Sequence, residues 1–362
     1  MPRSRRSTRR RASLAGQPFS NGGIAMIGRD LGALVIGLGI GRAHLRAYQA
    51  IEGVRIAAIS DVNAAALAKA KDEFGSPFVS TDFREAIDRP DVDLVSICTP
   101  DRFHAEQAIY ALQHGKHVIC EKPIATTAAE VAQLVQAVDS SGLTFAAGHN
   151  YRFIPQFRAL HDAVTAGDIG RPFLVDSAYI QDLWDMRSLG PDYWRFKDPQ
   201  DLFIGGAVHN VDLLQWLAGE ITEVHAYANN VLDFWPVENN YTTNLKFRSG
   251  CIGHVLLELG ARRKTKFDVQ LRAFGIEGSL EANNRQAQVV REIGAAPGDL
   301  PEVMPVAAAN SHELELRHFV DCVRSGQHPL VDVHEAARVM SVCFAAVKSA
   351  RQGGVATVEG AF

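Results

Sequence analysis

Between residues 33 and 147 short apolar runs alternate with amphipathic segments, and this alternation leaves few folds open. Residues 33–36, 54–59, 93–98, 118–120 and 143–147 are rich in Val, Ile, Leu and Ala, in runs too short for helices. Between them lie segments with helical periodicity: a run through Leu45, Ala47 and Tyr48, then residues 63–74, 81–87, 105–114 and 127–138. Strand–helix units of this length, repeated, form a parallel sheet with helices on both faces, a doubly wound α/β fold. Ligands of such sheets sit beyond the carboxyl ends of the strands. Three strand ends therefore converge on one edge: residues 37–41, Thr99-Pro100 and Glu121-Lys122-Pro123.

Each of these ends carries chemistry. Gly37, Leu38, Gly39, Ile40 and Gly41 stand between a strand and a helix, where glycines let the backbone turn tightly and approach a pyrophosphate at the helix N-terminus. The third glycine falls one residue early, and Arg42 occupies the usual place. Asp61 closes the second strand 24 residues after Gly37. A carboxylate there accepts hydrogen bonds from the adenosine ribose hydroxyls and repels a 2′-phosphate, which favours NAD over NADP. The alternative for Asp61 is a cap for the helix that follows Asn63. Lys122 ends a buried strand, where desolvation brings an ammonium toward neutrality and suits it to acid–base work. Pro123 restricts the backbone of Lys122 and keeps it out of a helix.

The 362 residues are 47% apolar with a formal net charge of −4, so two domains are expected and nucleic acid is not an expected partner. The first 25 residues contrast with this. They hold six Arg and no acid, without the apolar stretch an export signal needs. They are expected to be a disordered extension, or translation upstream of a start at Met26; a nucleic-acid or membrane tail is the alternative. No run is apolar enough to span a membrane. The five cysteines are scattered and lack a C-x-x-C pair, which suits reduced core thiols in a cytoplasmic protein and no metal site.

Beyond residue 150 the pattern changes. Residues 171–182, 221–231, 241–248, 251–259 and 267–274 read as successive strands without helices between them, hence a mostly antiparallel sheet, with residues 248–250 as a hairpin turn. Residues 294–309 read as a surface loop, and 310–324 and 334–350 as amphipathic helices, the second capped by Asp332. Residues 184–195 hold aromatics, acids and two Arg. They form either a loop over the active site, with Tyr193 and Arg195 on substrate, or a surface loop anchored by half-buried Trp. The outer sheet face is expected to join subunits into a homo-oligomer. The expected division is a basic extension over 1–29, a dinucleotide-binding domain over 30–149 and a substrate-binding α+β domain over 150–362.

Five stretches resemble the glucose–fructose oxidoreductase / inositol dehydrogenase (Gfo/Idh/MocA) family. They are Gly37-Leu-Gly-Ile-Gly-Arg-Ala-His44, Ile97-Cys-Thr-Pro100 with His104, Gly115-Lys-His-Val-Ile-Cys-Glu-Lys-Pro123, Gly148-His-Asn-Tyr-Arg-Phe153 and Gly205-Gly-Ala-Val-His-Asn-Val-Asp212. The resemblance spans roughly residues 31–350. It implies a Rossmann domain followed by a domain with a large open sheet, and NAD as cofactor. It implies that Lys122 serves catalysis and contacts nicotinamide ribose and substrate, that Thr99, Pro100, His104 and Glu121 help hold the cofactor, and that His209 is an acid/base. Many members carry Asp-x-x-x-His at the last stretch; here the Asp position is Gly205. Asp201, Asp185, Tyr193 or a water are the candidates to replace it. By topology Asn150 is expected on the cofactor and Arg152 on the substrate, with Asp212 either on the substrate or orienting His209.

The expected activity is NAD(H)-dependent hydride transfer at a secondary alcohol of a sugar, sugar acid or cyclitol. The alternatives are a hydrolase or lyase that retains NAD and a non-catalytic dinucleotide or sugar sensor.

Overall fold

The computed structural model describes residues 29–197, 199–294 and 300–360. The expected basic extension therefore lies almost wholly outside the described residues. Six strands form the first sheet: β1 (Leu31–Ile36), β2 (Val54–Ser60), β3 (Val79–Ser80), β4 (Leu94–Ile97), β5 (His117–Glu121) and β6 (Phe145–Gly148). Their order is β3-β2-β1-β4-β5-β6 and every pairing is parallel. All residues of β1 and β4 are buried, as they must be in strands covered on both faces. The covering helices are α1 (Gly41–Gln49), α2 (Ala64–Phe74), α3 (Phe83–Ile87), α4 (His104–Gln113) and α5 (Ala128–Ser141). Asn63 caps α2 by accepting from Ala66 N–H, and Thr127 and Glu130 form a reciprocal capping box on α5. The two-residue β3, at the sheet edge, was too short to announce itself in the pattern.

The chain order reverses between β1 and β4, so a crevice opens at their carboxyl ends. The second half follows through α6 (Pro155–Ala166), β7 (Pro172–Gln181), the short α7 (Trp194–Lys197) and α8 (Val208–Ala218). Then come β8 (Ile221–Asn229), β9 (Asn240–Phe247), β10 (Ile252–Glu258), β11 (Phe267–Gly275), β12 (Gly278–Asn283), β13 (Gln286–Ile293) and β14 (Glu302–Pro305). The chain closes with α9 (Ser311–Ser325), α10 (Val333–Gln352) and β15 (Ala356–Thr357). The nine strands order as β14-β13-β12-β11-β7-β10-β9-β8-β15, antiparallel except for β7 beside β10. The hairpin at residues 248–250 joins β9 to β10 as expected. The loop expected over 294–309 is corrected in part: β14 pairs with β13, Met304 opposite Val289. Its residues are mostly exposed, so no apolar alternation marked it.

Two helices tie the halves together. α10 contacts α5, α8, β6 and β8 and contributes twelve buried residues, so the cores of both sheets are continuous through it. α9 returns to the first sheet, where Leu316, Phe319, Val320 and Val323 pack with Leu45, Tyr48 and Ile51. Arg324 of α9 donates to the carbonyl oxygens of Glu52 (2.7 Å) and Gly53 (3.1 Å), at the turn after α1. All five cysteines are buried and free of disulfides. Among the described residues no helix is long and apolar enough to cross a membrane, and no cluster of three or more His, Cys, Asp or Glu could hold a metal ion.

Candidate active site

The glycine turn between β1 and α1 has the geometry a pyrophosphate needs. Gly37 has φ of +92°, and a Cβ there would lie 2.5 Å from the Cys98 carbonyl oxygen, so only glycine fits. Beside Gly39 space is open. Gly41 answers for its early position. A Cβ on it would meet Val35 Cγ1 at 2.8 Å, so it is the residue that lets α1 pack on β1. Arg42, in the usual glycine place, points instead to an ion pair with Glu73.

Asp61 holds this turn. Its Oδ2 accepts from Leu38 N–H at 2.7 Å and its Oδ1 from Asn63 N–H at 2.8 Å. The helix cap is Asn63, so the alternative role for Asp61 is not the one observed. A carboxylate has about four acceptor sites, and two remain for ribose hydroxyls. The glycine turn, the α1 N-terminus and Asp61 thus fit a dinucleotide.

At the end of β5 each group is fixed by its neighbours. The Lys122–Pro123 peptide is cis. Lys122 Nζ donates to Gly205 O at 3.0 Å. Burial, above all, lowers the Lys122 pKa below its usual value; Glu121 and Asp101 oppose the shift and Arg195 adds to it. Glu121 is itself buried. Its Oε1 lies 3.1 Å from His44 Nε2, and its Oε2 accepts from Lys122 N–H at 3.3 Å. Burial pushes Glu121 up, but the His44 hydrogen bond and the charges of His44, Lys122 and His312 outweigh it and bring the pKa to about 2. Glu121 is an anion that pins the strand end.

Across the crevice, α8 brings up His209, which is 4% exposed. Tyr151 stacks on its ring (centroids 3.9 Å, interplanar 10°), and His149 meets it edge-on at 5.7 Å. Its Nδ1 is buried without a hydrogen-bond partner among the described residues. Burial, then the charges of Lys122, His149 and His312, drive its pKa well below the usual value, so the ring is neutral. A neutral imidazole beside a lysine with a lowered pKa is suited to receiving or relaying a proton.

Several expected site residues have other work in the fold. Arg152 and Asp212 were expected on the substrate. Instead Arg152 Nε and Nη2 clamp Asp212 at 2.9 and 2.7 Å, Asp212 is fully buried, and Arg152 also donates to Leu330 O at 3.2 Å. This pair stands behind His209, where a bidentate bond neutralises two charges that burial would otherwise make costly. His149 Nδ1 approaches Asp212 at 3.8 Å, too far for a hydrogen bond. His104 is a brace. Its Nδ1 lies 2.7 Å from Pro123 O and its Nε2 2.8 Å from Thr99 O, tying the ends of β4 and β5 together. Thr99 donates to Gln107 at 2.7 Å, and Pro100 precedes a single turn over Asp101–Phe103. Asn150, expected on the cofactor, lies 3.3 Å from Ser311 Oγ and 3.2 Å from His312 Nε2, so it links β6 to α9.

Of Arg195 and Tyr193, Arg195 comes to the crevice. Arg195 Nη1 lies 4.0 Å from where a Cβ on Gly205 would stand, and its guanidinium covers the Trp194 ring. Tyr193 packs edge-on against Phe196, whose ring in turn meets Phe234 and Trp235. Asp101, His149, Tyr151 and His312 were missed as site residues. His149 and Tyr151 flank Asn150, which was singled out, and Asp101 follows Thr99-Pro100; position beside a strand end was the only signal they gave.

A parallel sheet with a glycine turn, a buried lysine at a neighbouring strand end and a second domain closing over both defines a dinucleotide-dependent oxidoreductase architecture. Residues 31–149 match the family model described as "Oxidoreductase family, NAD-binding Rossmann fold", and residues 157–281 match the "GFO/IDH/MocA C-terminal domain". The chain belongs to the Gfo/Idh/MocA family of oxidoreductases. It is 29% identical to a myo-inositol 2-dehydrogenase of Thermotoga maritima, over 87% of this chain and 95% of that one. It is 28% identical to a scyllo-inositol 2-dehydrogenase (NAD(+)) of Bacillus subtilis, over 88% and 94%. Among solved structures, levoglucosan dehydrogenase in complex with NADH superposes with a TM-score of 0.81 at 25% identity, covering 92% of this chain and all of that one. The chain is an NAD-binding enzyme of the dehydrogenase class.

Proposed function

We propose that this enzyme oxidises a secondary alcohol of a polyhydroxylated ring, a cyclitol, sugar or sugar acid, and reduces the corresponding ketone, with Lys122 and His209 moving the proton. The observation that carries the reading is the place of Lys122, whose Nζ bonds the Gly205 carbonyl in the turn that leads into the helix of His209, at the carboxyl edge of the sheet that holds the glycine turn; burial lowers the pKa of both groups. Inositol dehydrogenases among its relatives support a cyclitol as the first substrate to try. The glycine turn over residues 37–41 and Asp61 would hold NAD, which when bound accepts the hydride from the carbinol carbon. Lys122, in its neutral form, takes the hydroxyl proton and becomes an ammonium. His209 holds the hydroxyl in line and passes the proton onward. Removing that proton raises electron density on the alkoxide oxygen and makes the carbon-bound hydrogen a better hydride donor. Ordering alcohol and lysine in one crevice replaces a bimolecular encounter.

NADH formation from NAD across a panel of inositols, hexoses and sugar acids tests the reading, with wild type beside Lys122→Ala. Expected is activity on one class, reduced by roughly a hundredfold or more in Lys122→Ala while NADH still binds. Equal activity in the variant would remove Lys122 from the chemistry. Silence of the wild type across the panel, with NAD bound, would turn the reading toward a retained-cofactor hydrolase or lyase. The outer face of the second sheet, where Tyr227, Ile252 and Leu174 emerge among the polar residues Thr242, His254 and Asp176, is the surface proposed to join subunits.

A further inference from the structure

We propose that Asp101 is a positioning residue of the proton-transfer site: its carboxylate stands beside the vacant side-chain place of Gly205 and serves as counter-charge to the ammonium that Lys122 becomes. The proposal rests on the dehydrogenase reading above. Four observations on separate elements lead to it.

Gly205 lies in a π-helical turn (Phe203–Ala207) leading into α8, and its carbonyl accepts from Lys122 Nζ. A Cβ built on it meets nothing closer than Asp101 Oδ2 at 3.8 Å and Arg195 Nη1 at 4.0 Å. The place where a side chain would project is therefore open, and a carboxylate from the other domain borders it.

Asp101 is 5% exposed, and its carboxylate borders the open place at Gly205. The nearest use for it is the Lys122 ammonium, whose pKa it raises.

Glu121 and the other candidates for the Gly205 place have partners elsewhere. Glu121 is held by His44 and by Lys122 N–H. Asp201 pairs with Arg351, and its carbonyl accepts from Ile204 N–H in the turn that contains Gly205. Asp185 pairs with Lys266. The Tyr193 ring packs on Trp194 and Phe196, and Tyr193 is not among the residues that border the place at Gly205. Asp101 remains.

A cavity of about 10 Å³, room for no more than one water, joins Asp101, Arg195 and Gly205 to Gln200 and Trp235. Gln200 Oε1 and the indole Nε1 of Trp235 (3% exposed) are buried with no hydrogen-bond partner among the described residues. One group can only accept and the other can only donate. A group that does both, a single water, satisfies the pair. Glycine at 205 leaves room for that oxygen beside Lys122, and Asp101 supplies the charge.

In the oxidation, Lys122 gains the hydroxyl proton and a positive charge in a site where Arg195 already repels it and His149 and His209 offer no anion. Glu121 and Asp101 are the opposing charges, and Asp101 is the one that borders the place at Gly205. Its effect is on the charged product of the proton transfer, so it belongs in kcat and in the pH profile more than in substrate affinity.

The test moves the carboxylate. Asp101→Asn, Gly205→Asp and the double variant Asp101→Asn/Gly205→Asp are compared with wild type on the best substrate of a panel of myo-inositol, scyllo-inositol, glucose and gluconate. NADH binding is followed by fluorescence. Expected for Asp101→Asn is a kcat lower by roughly tenfold or more, with KM and NADH affinity nearly unchanged. The limb of the kcat/KM profile that reports Lys122 should move to lower pH, because an opposing negative charge is gone. Gly205→Asp alone places two carboxylates together and lowers activity. The double variant restores a single carboxylate on the opposite wall and recovers most of the turnover. Unchanged kcat and pH profile in Asp101→Asn, or a double variant no better than either single one, overturns the proposal while leaving the dehydrogenase reading intact. A wild type silent on the panel overturns that reading and the proposal with it. A loss in Asp101→Asn that appears only as weakened NADH binding also overturns it, since Asp101 would then be a cofactor contact.

Discussion

At the scale of single residues, burial sets the protonation states on which the site depends. His149, His209 and His312 all have pKa values lowered chiefly by burial. A histidine lowered from its usual 6.5 in the folded state contributes stability that is present above pH 6.5 and is lost as pH falls below it. Glu121 works in a lower window. With a folded pKa of about 2 against 4.5, its contribution is present above pH 4.5 and is lost as pH falls toward 2. The melting temperature of the apo enzyme should therefore decline from pH 6.5 downward, and further below 4.5. A His149→Asn/His209→Asn double variant should show a shallower decline between pH 6.5 and about 5; a slope equal to wild type would mean these rings are solvated. The buried Arg152–Asp212 pair makes a sharper claim. Asp212→Asn leaves a guanidinium in the core, with Glu335 at 3.4 Å as its remaining acid. Destabilisation by about 3–5 kcal/mol is expected, measured by urea unfolding. A loss confined to KM would return Asp212 to the substrate.

At the scale of elements, the decisive pieces are a turn and a helix. The turn over residues 37–41 depends on Gly37, where a methyl group would collide with the Cys98 carbonyl and where φ is positive. Gly37→Ala should weaken NADH binding by roughly tenfold or more in a fluorescence titration, with the α1 register disturbed as well. Its neighbour Asp61 should set cofactor choice. Asp61→Ala is expected to raise the NADP-to-NAD ratio of kcat/KM by removing the charge that repels a 2′-phosphate. The helix is α9, which leaves the second half of the chain to cover α1. Phe319→Ala would open a cavity at that seam, where Phe319 is fully buried. A loss of about 3–5 kcal/mol is expected by chemical denaturation. It should come with weakened cofactor binding, since α1 carries the turn at its N-terminus.

At the scale of the molecule, the first half was legible because its strands are buried on both faces and its helices on one. Continuous apolar runs for the strands, as in residues 31–36, and a period of 3.6 for the helices are then written into the residues themselves, with the Thr127–Glu130 capping box marking where a helix starts. The second sheet was legible only where burial alternates: β9 alternates along its whole length, whereas β13 and the mostly exposed β14 do not and escaped notice. Lys122, His209 and the glycine turn were found from their places at strand ends and from the family pattern. Asp101, His149 and Tyr151 were not, because nothing in a linear sequence says that the loop after β4 faces the turn before α8. The sequence by itself determined the alternation, the caps, the glycine turn and the lysine at the end of β5, since these follow from local sterics and hydrophobic periodicity. Only the tertiary structure decided that Arg152 spends its charge on Asp212, that His104 braces two strands, that α9 crosses back over α1, and that Asp101 borders the space at Gly205. Apart from the His104–Thr99 bond, these join residues at least 19 positions apart, most of them 60 or more. Contacts at such separations are fixed by how the layers pack, which no local rule encodes.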